Sequence, residues 1–172
     1  DARQTRTDDA IANFKRALEI DPTYIVALDN LGNAYRQAKR TREAAETFRK
    51  AVALDSDDPE ANYGLGIIEA QEGYPPRALE YLQKAIQARP NYPEALNNLG
   101  VLYLHLERPE DAERSFKQAM QVAPGFAQAY FNLARLYAVQ GDKTKARGVL
   151  QAYLKVKPND AAAQKALSEL GE

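Results

Sequence analysis

Apolar residues recur along this chain at three- and four-residue steps, and short polar turns interrupt them at regular intervals. Between Pro93 and Pro124, Ala95, Leu96, Leu99, Leu102, Tyr103 and Leu106 fall on one side of a helix of 3.6 residues per turn. Ala112, Phe116, Ala119, Met120 and Ala123 fall on one side of a second helix. Pro93 and Pro109 stand where a helix begins, a position at which a missing N–H costs nothing, and Pro124 stops the second helix. The stretch predicts two amphipathic helices joined by a tight turn.

The same unit returns at an offset of 34 residues, position by position. One column reads Ala10, Ala44, Ala78, Ala112, Ala146; another reads Leu31, Leu65, Leu99, Leu133, Leu167, each followed by a small residue, Gly32, Gly66, Gly100, Ala134, Ser168. Tyr35, Tyr103 and Tyr137 share a column, as do Phe14, Phe48 and Phe116, and Pro22, Pro90, Pro124 and Pro158. Gly73 and Gly141 stand where a helix end favours a left-handed residue, and Asp58 and Asp160 precede helices as N-caps. Connections this short make neighbouring helices antiparallel.

These columns resemble the tetratricopeptide repeat (TPR) family, whose 34-residue unit has the same Leu-Gly pair, Tyr, Ala, Phe, Ala and closing Pro. The resemblance covers nearly the whole chain. It implies an all-α fold, a right-handed α-solenoid (superhelix) of antiparallel helix pairs. Residues 1–172 then form a single array: a partial N-terminal repeat over 1–24, full repeats over 25–58, 59–92, 93–126 and 127–160, and a C-terminal capping helix over 161–172. In the partial repeat, Asp1 to Arg6 reads as the tail of one helix and Thr7 to Ile20 as the next. The chain starts in mid-repeat without Met, so it is expected to be a fragment of a longer protein or a processed form. Ile11, Phe14 and Leu18 would lack part of their cover, which makes an end-to-end homodimer through the N-terminal end an expectation.

Some positions depart from the pattern. Asn62 stands where other repeats have Leu28, Leu96 and Tyr130, Glu69 stands in the Tyr column, and Ser56 replaces the closing Pro. A carboxylate among packed helices needs a partner or water, so Glu69 is expected to turn to the solvent edge. Tyr153 replaces Ala in its column, either to fill room left by an Ala-rich last helix or as a partly exposed side chain.

Composition narrows the chemistry. One His and no Cys leave no material for a zinc site or a thiol nucleophile, and His105 has no second ligand at the right spacing on its helix. Gly64-Leu65-Gly66 lies within a helix and lacks the third Gly of a dinucleotide loop. Neither a catalytic residue, a metal nor a cofactor is expected. A net charge of −1, with basic groups at Arg36–Arg42 and Lys143–Arg147 that lack interleaved aromatics, argues against nucleic acid. The apolar runs are far shorter than the roughly 20 residues that cross a bilayer, so the chain is expected to be soluble, cytoplasmic or periplasmic.

In the TPR family the first helices of the repeats line a concave face that holds a peptide or partner helix. Carried over, that face comprises Val26, Asp29, Asn30, Asn33 and Arg36, then Glu60, Tyr63, Gly64, Ile67 and Ala70. It continues through Glu94, Asn97, Asn98, Val101, Leu104 and His105, and through Gln128, Phe131, Asn132, Arg135 and Val139. Tyr63, Ile67, Val101, Leu104 and Phe131 are read as apolar residues that the helix–helix core does not need. Asn30, Asn98 and Asn132 resemble the Asn ladder with which some members hold a peptide backbone, since an amide both donates and accepts. The family's carboxylate clamp is not matched, because Asp29, Gly64, Glu94 and Asn98 stand where Lys, Asn, Lys and Arg belong.

The expected function is a non-catalytic protein–protein interaction scaffold with a peptide or partner segment on the concave face. Its site residues are Asn30, Asn33, Arg36, Tyr63, Ile67, Asn98, Val101, Leu104, Phe131, Asn132 and Arg135. The alternatives are a structural self-assembly unit acting through the N-terminal helix and the substrate-recruiting domain of a larger enzyme.

Overall fold

The structure is a computed structural model that describes the backbone of residues 2–171 and the side chains of residues 5–171. The first residue of the expected helix tail, Asp1, and the last of the capping segment, Glu172, lie outside the described residues. Among those described, ten α-helices and no strand form an all-α helical-repeat solenoid. Helices begin at Ile25, Pro59, Pro93, Ala127 and Ala161, and their partners at Thr41, Pro75, Pro109 and Lys143, each series at the interval of the sequence repeat. The chain divides into two compact units, one ending at Pro90 and one starting at Asn91.

The first unit contains α1 (Ala2–Ile20), α2 (Ile25–Gln37), α3 (Thr41–Leu54), α4 (Pro59–Gln71) and α5 (Pro75–Ala88). α1 is continuous across Arg6 and Thr7, where the repeat pattern suggests a break, because neither Gly nor Pro interrupts it there. Ile11 is buried, and Phe14 and Leu18 pack against the same core, so the apolar stripe of α1 is largely covered by its own unit. The outer side of α1, with Asp8, Asp9, Asn13 and Arg16, is exposed and polar. Phe14 and Leu18 are half-buried and Ile20 is 87% exposed, so part of the apolar surface behind the expected N-terminal dimer is still open.

The core of this unit is organised around Phe48, which is fully buried and wedged between two glycines. A Cβ at Gly32 would lie 2.6 Å from its ring and one at Gly64 2.4 Å from it. Full burial of such a ring contributes about 1.5–3 kcal/mol, and only the absence of two methyl groups lets α2 and α4 close on it.

The helix–helix turns show one recurring device in both units. Lys39, Gly73, Glu107 and Gly141 all have positive φ, at 58°, 81°, 55° and 80°. The following N–H then reaches back over the helix end, as Arg40 to Tyr35 O at 2.8 Å, Tyr74 to Glu69 O at 2.8 Å, Arg108 to Tyr103 O at 2.9 Å and Asp142 to Tyr137 O at 2.9 Å. The two glycines are legible in sequence; Lys39 and Glu107 adopt the same conformation with a side chain present.

Glu69 corrects an expectation. It is not at the solvent edge but 3% exposed, with Arg49 of α3 at 3.6 Å and Arg77 of α5 at 3.8 Å. In the first and third full repeats the Tyr of this column stacks under a guanidinium that is itself paired with an acid: Arg40 lies 4.7 Å from the Tyr35 ring and pairs with Glu43, and Arg108 lies 4.6 Å from the Tyr103 ring and pairs with Asp111. In the fourth, the Lys145 ammonium lies 5.4 Å from the Tyr137 ring and pairs with Asp142. The second repeat keeps the three chemistries but permutes them, with Glu69 inside, Tyr74 in the Arg position and Arg77 in the acid position, 5.3 Å from the Tyr74 ring. Asn62 is likewise accounted for. Its buried amide donates to Ser56 O at 3.0 Å and Asp58 O at 2.7 Å, tying down the turn that lacks the closing Pro.

The second unit contains α6 (Pro93–His105), α7 (Pro109–Val122), α8 (Ala127–Val139), α9 (Lys143–Val156) and α10 (Ala161–Glu169). Phe116 repeats the wedge against Gly100, whose Cβ would lie 2.5 Å from the ring. Tyr153 is buried beneath α10, with its ring 5.0 Å from that of Tyr130 and its hydroxyl donating to Asp160 at 2.9 Å. It fills the space that the alanines of α10 leave. Asp160 also caps α10 by accepting from Ala163 N at 2.9 Å, and these bonds, the backbone one first, hold its carboxyl below the usual carboxylate range.

Candidate functional site

In the first unit α2 and α4 carry the expected site residues. Asn30 is exposed, and its amide donates to Val26 O at 2.9 Å on its own helix. Asn33 and Arg36 are half-buried and joined at 3.4 Å, the guanidinium donating to the Asn33 side-chain oxygen. Tyr63 and Ile67 are half-buried on α4. Gly64, which interrupts the Asn column, is buried because the Phe48 ring occupies the space a side chain would need.

Asp29 does not line an open face. It is 7% exposed, and one carboxylate oxygen accepts no hydrogen bond. Burial, the charges of Asp58 and Glu60 and a hydrogen bond with Asp58 raise its pKa to about 7, against which Arg89 works only weakly. Arg89 is itself engaged by Glu60 at 2.7 Å. The side chain expected at the position of a clamp Lys is therefore a buried acid.

In the second unit α6 and α8 carry the rest. Asn98 is half-buried and donates to Glu94 O at 2.9 Å. Asn132 donates instead to the side-chain oxygen of the buried Asn97, at 2.9 Å, linking α8 to α6. Each Asn of the column thus commits one amide N–H inside the protein. Val101 and Leu104 are half-buried, and His105 is exposed at the end of α6.

Phe131, read from the sequence as outside the core, packs against the Tyr130–Tyr153–Ala163 cluster, with its ring 6.1 Å from that of Tyr153. Arg135 is exposed, and among the described residues no carboxylate pairs with it. Among the same residues, no group of three His, Cys, Asp or Glu is placed to hold a metal, and no helix is long and apolar enough to cross a membrane.

Helix pairs that return every 34 residues with a positive-φ turn in each, two of them built on a Phe wedged against glycine, define a class of helical-repeat proteins. Tetratricopeptide repeat models match residues 1–57, 30–93, 81–114 and 106–170, and the chain belongs to the tetratricopeptide repeat family. Among solved structures it is similar to MamA, at 27% identity over 94% of this chain and 96% of that one, with a TM-score of 0.77. It is similar at the same identity to YrrB, a TPR protein with an unusual peptide-binding site, over 96% of this chain and 85% of that one, with a TM-score of 0.70. Likeness to pilF of Pseudomonas aeruginosa, at 21% identity over 99% and 83% of the two chains and a TM-score of 0.80, is one of fold alone. No curated protein matches the chain.

Proposed function

We propose that this chain is a non-catalytic protein–protein interaction scaffold that binds an extended or helical partner segment on the exposed faces of its first helices. The observation that carries the reading is the placement of half-buried apolar side chains on those helices, Tyr63 and Ile67 in the first unit and Val101 and Leu104 in the second. Each keeps part of its apolar surface in water, and covering that surface is the main favourable term in association. The acceptor oxygens of Asn30 and Asn132, and the guanidiniums of Arg36 and Arg135, supply polar groups on the same helices. The peptide-binding site of YrrB, a protein of the same fold, supports the reading.

The test compares capture of a partner from lysate by the parent chain and by Ile67→Ala/Leu104→Ala. Both side chains are already half in solvent, so helicity at 222 nm should survive while capture falls at least tenfold. Undiminished capture by this variant would move the binding surface to the second helices.

A further inference from the structure

At the C-terminal end of the second unit, α8, α9 and α10 diverge around an open cleft of about 360 Å³. Leu150 and Ala134, both buried, form its floor, and Phe131, Ala138, Ala166 and Leu170 form its walls. The room exists because two wall positions, Ala138 and Ala166, carry only a methyl group. Its volume is at the lower end of that of ligand pockets, enough for one large side chain and its backbone.

Two charged residues stand on the rim. Glu169 has Lys165 at 3.7 Å, whereas Arg135 has no carboxylate partner among the described residues. The charge left uncompensated beside the apolar cleft is therefore positive. A guanidinium presents a planar fork suited to a carboxylate.

We infer that this cleft is a socket for one large apolar side chain of an internal partner segment that carries Asp or Glu beside it, the carboxylate resting on Arg135. An internal acidic residue fits better than a free C-terminus. A terminal carboxylate held at the end of a chain needs several converging donors, and among the cleft's lining residues Arg135 alone carries a side-chain donor. The inference rests on the interaction-scaffold reading and gives it a partner chemistry. It also gives α10 a role in recognition.

The test pans a phage-displayed random dodecapeptide library on the full chain. Enriched sequences are synthesised both with amidated and with free C-termini and titrated by fluorescence polarisation against the parent, Arg135→Glu, Ala138→Trp and Ile67→Ala/Leu104→Ala. The expected peptides hold Leu, Ile or Phe within four residues of Asp or Glu and lose at least tenfold in affinity on both Arg135→Glu and Ala138→Trp. Panning on Arg135→Glu should replace the acidic residue by Lys or Arg. Arg135 is exposed, so its variant keeps the fold, and helicity of the parent level certifies the Trp variant. Peptides weakened by Ile67→Ala/Leu104→Ala but indifferent to Arg135→Glu and Ala138→Trp would overturn the socket and leave the scaffold reading standing. Binding only with a free C-terminus, or no enrichment, would also overturn it, the latter together with the scaffold reading.

Discussion

Gly64→Ala should destabilise the protein although Gly→Ala in a helix ordinarily does the reverse. Replacing Gly by Ala in a helix interior gains about 1 kcal/mol of propensity. At Gly64 the new methyl would lie 2.4 Å from Phe48 Cε2, and the opposite edge of the ring already lies close against the Gly32 backbone, as the 2.6 Å distance to an added Cβ there shows, so the ring has little room to retreat. Forcing an extra methyl into a filled core costs about 1–3 kcal/mol, so the net loss is about 0–2 kcal/mol. Gly148 supplies the control: it is exposed within α9, a Cβ there meets nothing within 4 Å, and Gly148→Ala should stabilise by about 0.5–1 kcal/mol. Urea denaturation followed at 222 nm measures both. Phe48→Leu in the Gly64→Ala background should cost less than Phe48→Leu alone, with a coupling of about 1 kcal/mol. If Gly64→Ala stabilises as much as Gly148→Ala, the wedge is not the reason for the glycine.

Other consequences follow from the same packing. Arg49→Ala with Arg77→Ala should cost about 3 kcal/mol by leaving the Glu69 carboxylate buried and unpaired, and adding Glu69→Gln should recover a large part, read by urea midpoints. Asp29, whose pKa is raised from 3.8 to about 7, binds its proton more tightly when folded, so its contribution falls as pH rises from about 4 to about 7 and stays flat above. Asp29→Asn should remove that slope from a plot of melting temperature against pH and raise the melting temperature at pH 8; an unchanged slope would show that Asp29 is not its source. Lys39→Gly and Glu107→Gly should each stabilise by about 1 kcal/mol, since only these two of the four turns hold a side chain in the left-handed region, and a fall in melting temperature would contradict that.

The fold was legible because every repeat solves the same problem with the same residue types, and a column of five alanines or five leucines states the packing directly. What escaped were features that depend on partners from another helix. Glu69 alone looks like a misplaced charge; only its register with Arg49 on α3 and Arg77 on α5 shows the exchange that lets it be buried. Lys39 and Glu107 are in register with Gly73 and Gly141, and that alignment was the available signal for their conformation. For the candidate site, the helices could be read from spacing, whereas the choice of Tyr63, Ile67, Val101 and Leu104 comes from carrying the repeat family's concave face onto this sequence. Phe131 is assigned by sequence to the concave face outside the core, yet it packs on Tyr153, a large residue that departs from its own column. The inward bond of the Asn30 amide follows from a carbonyl four residues back, a local alternative that Asn side chains commonly take.

The central claim, that partners bind on the first helices, is tested most directly by site-specific photocrosslinking. A benzophenone side chain is placed at Ile67 or Leu104, on α4 and α6, and in separate variants at the exposed Gln83 or Gln118 on α5 and α7. Irradiation with the captured partner should give covalent adducts from Ile67 and Leu104 and none from Gln83 and Gln118. Adducts from Gln83 or Gln118 alone would contradict the account and assign recognition to the second helices.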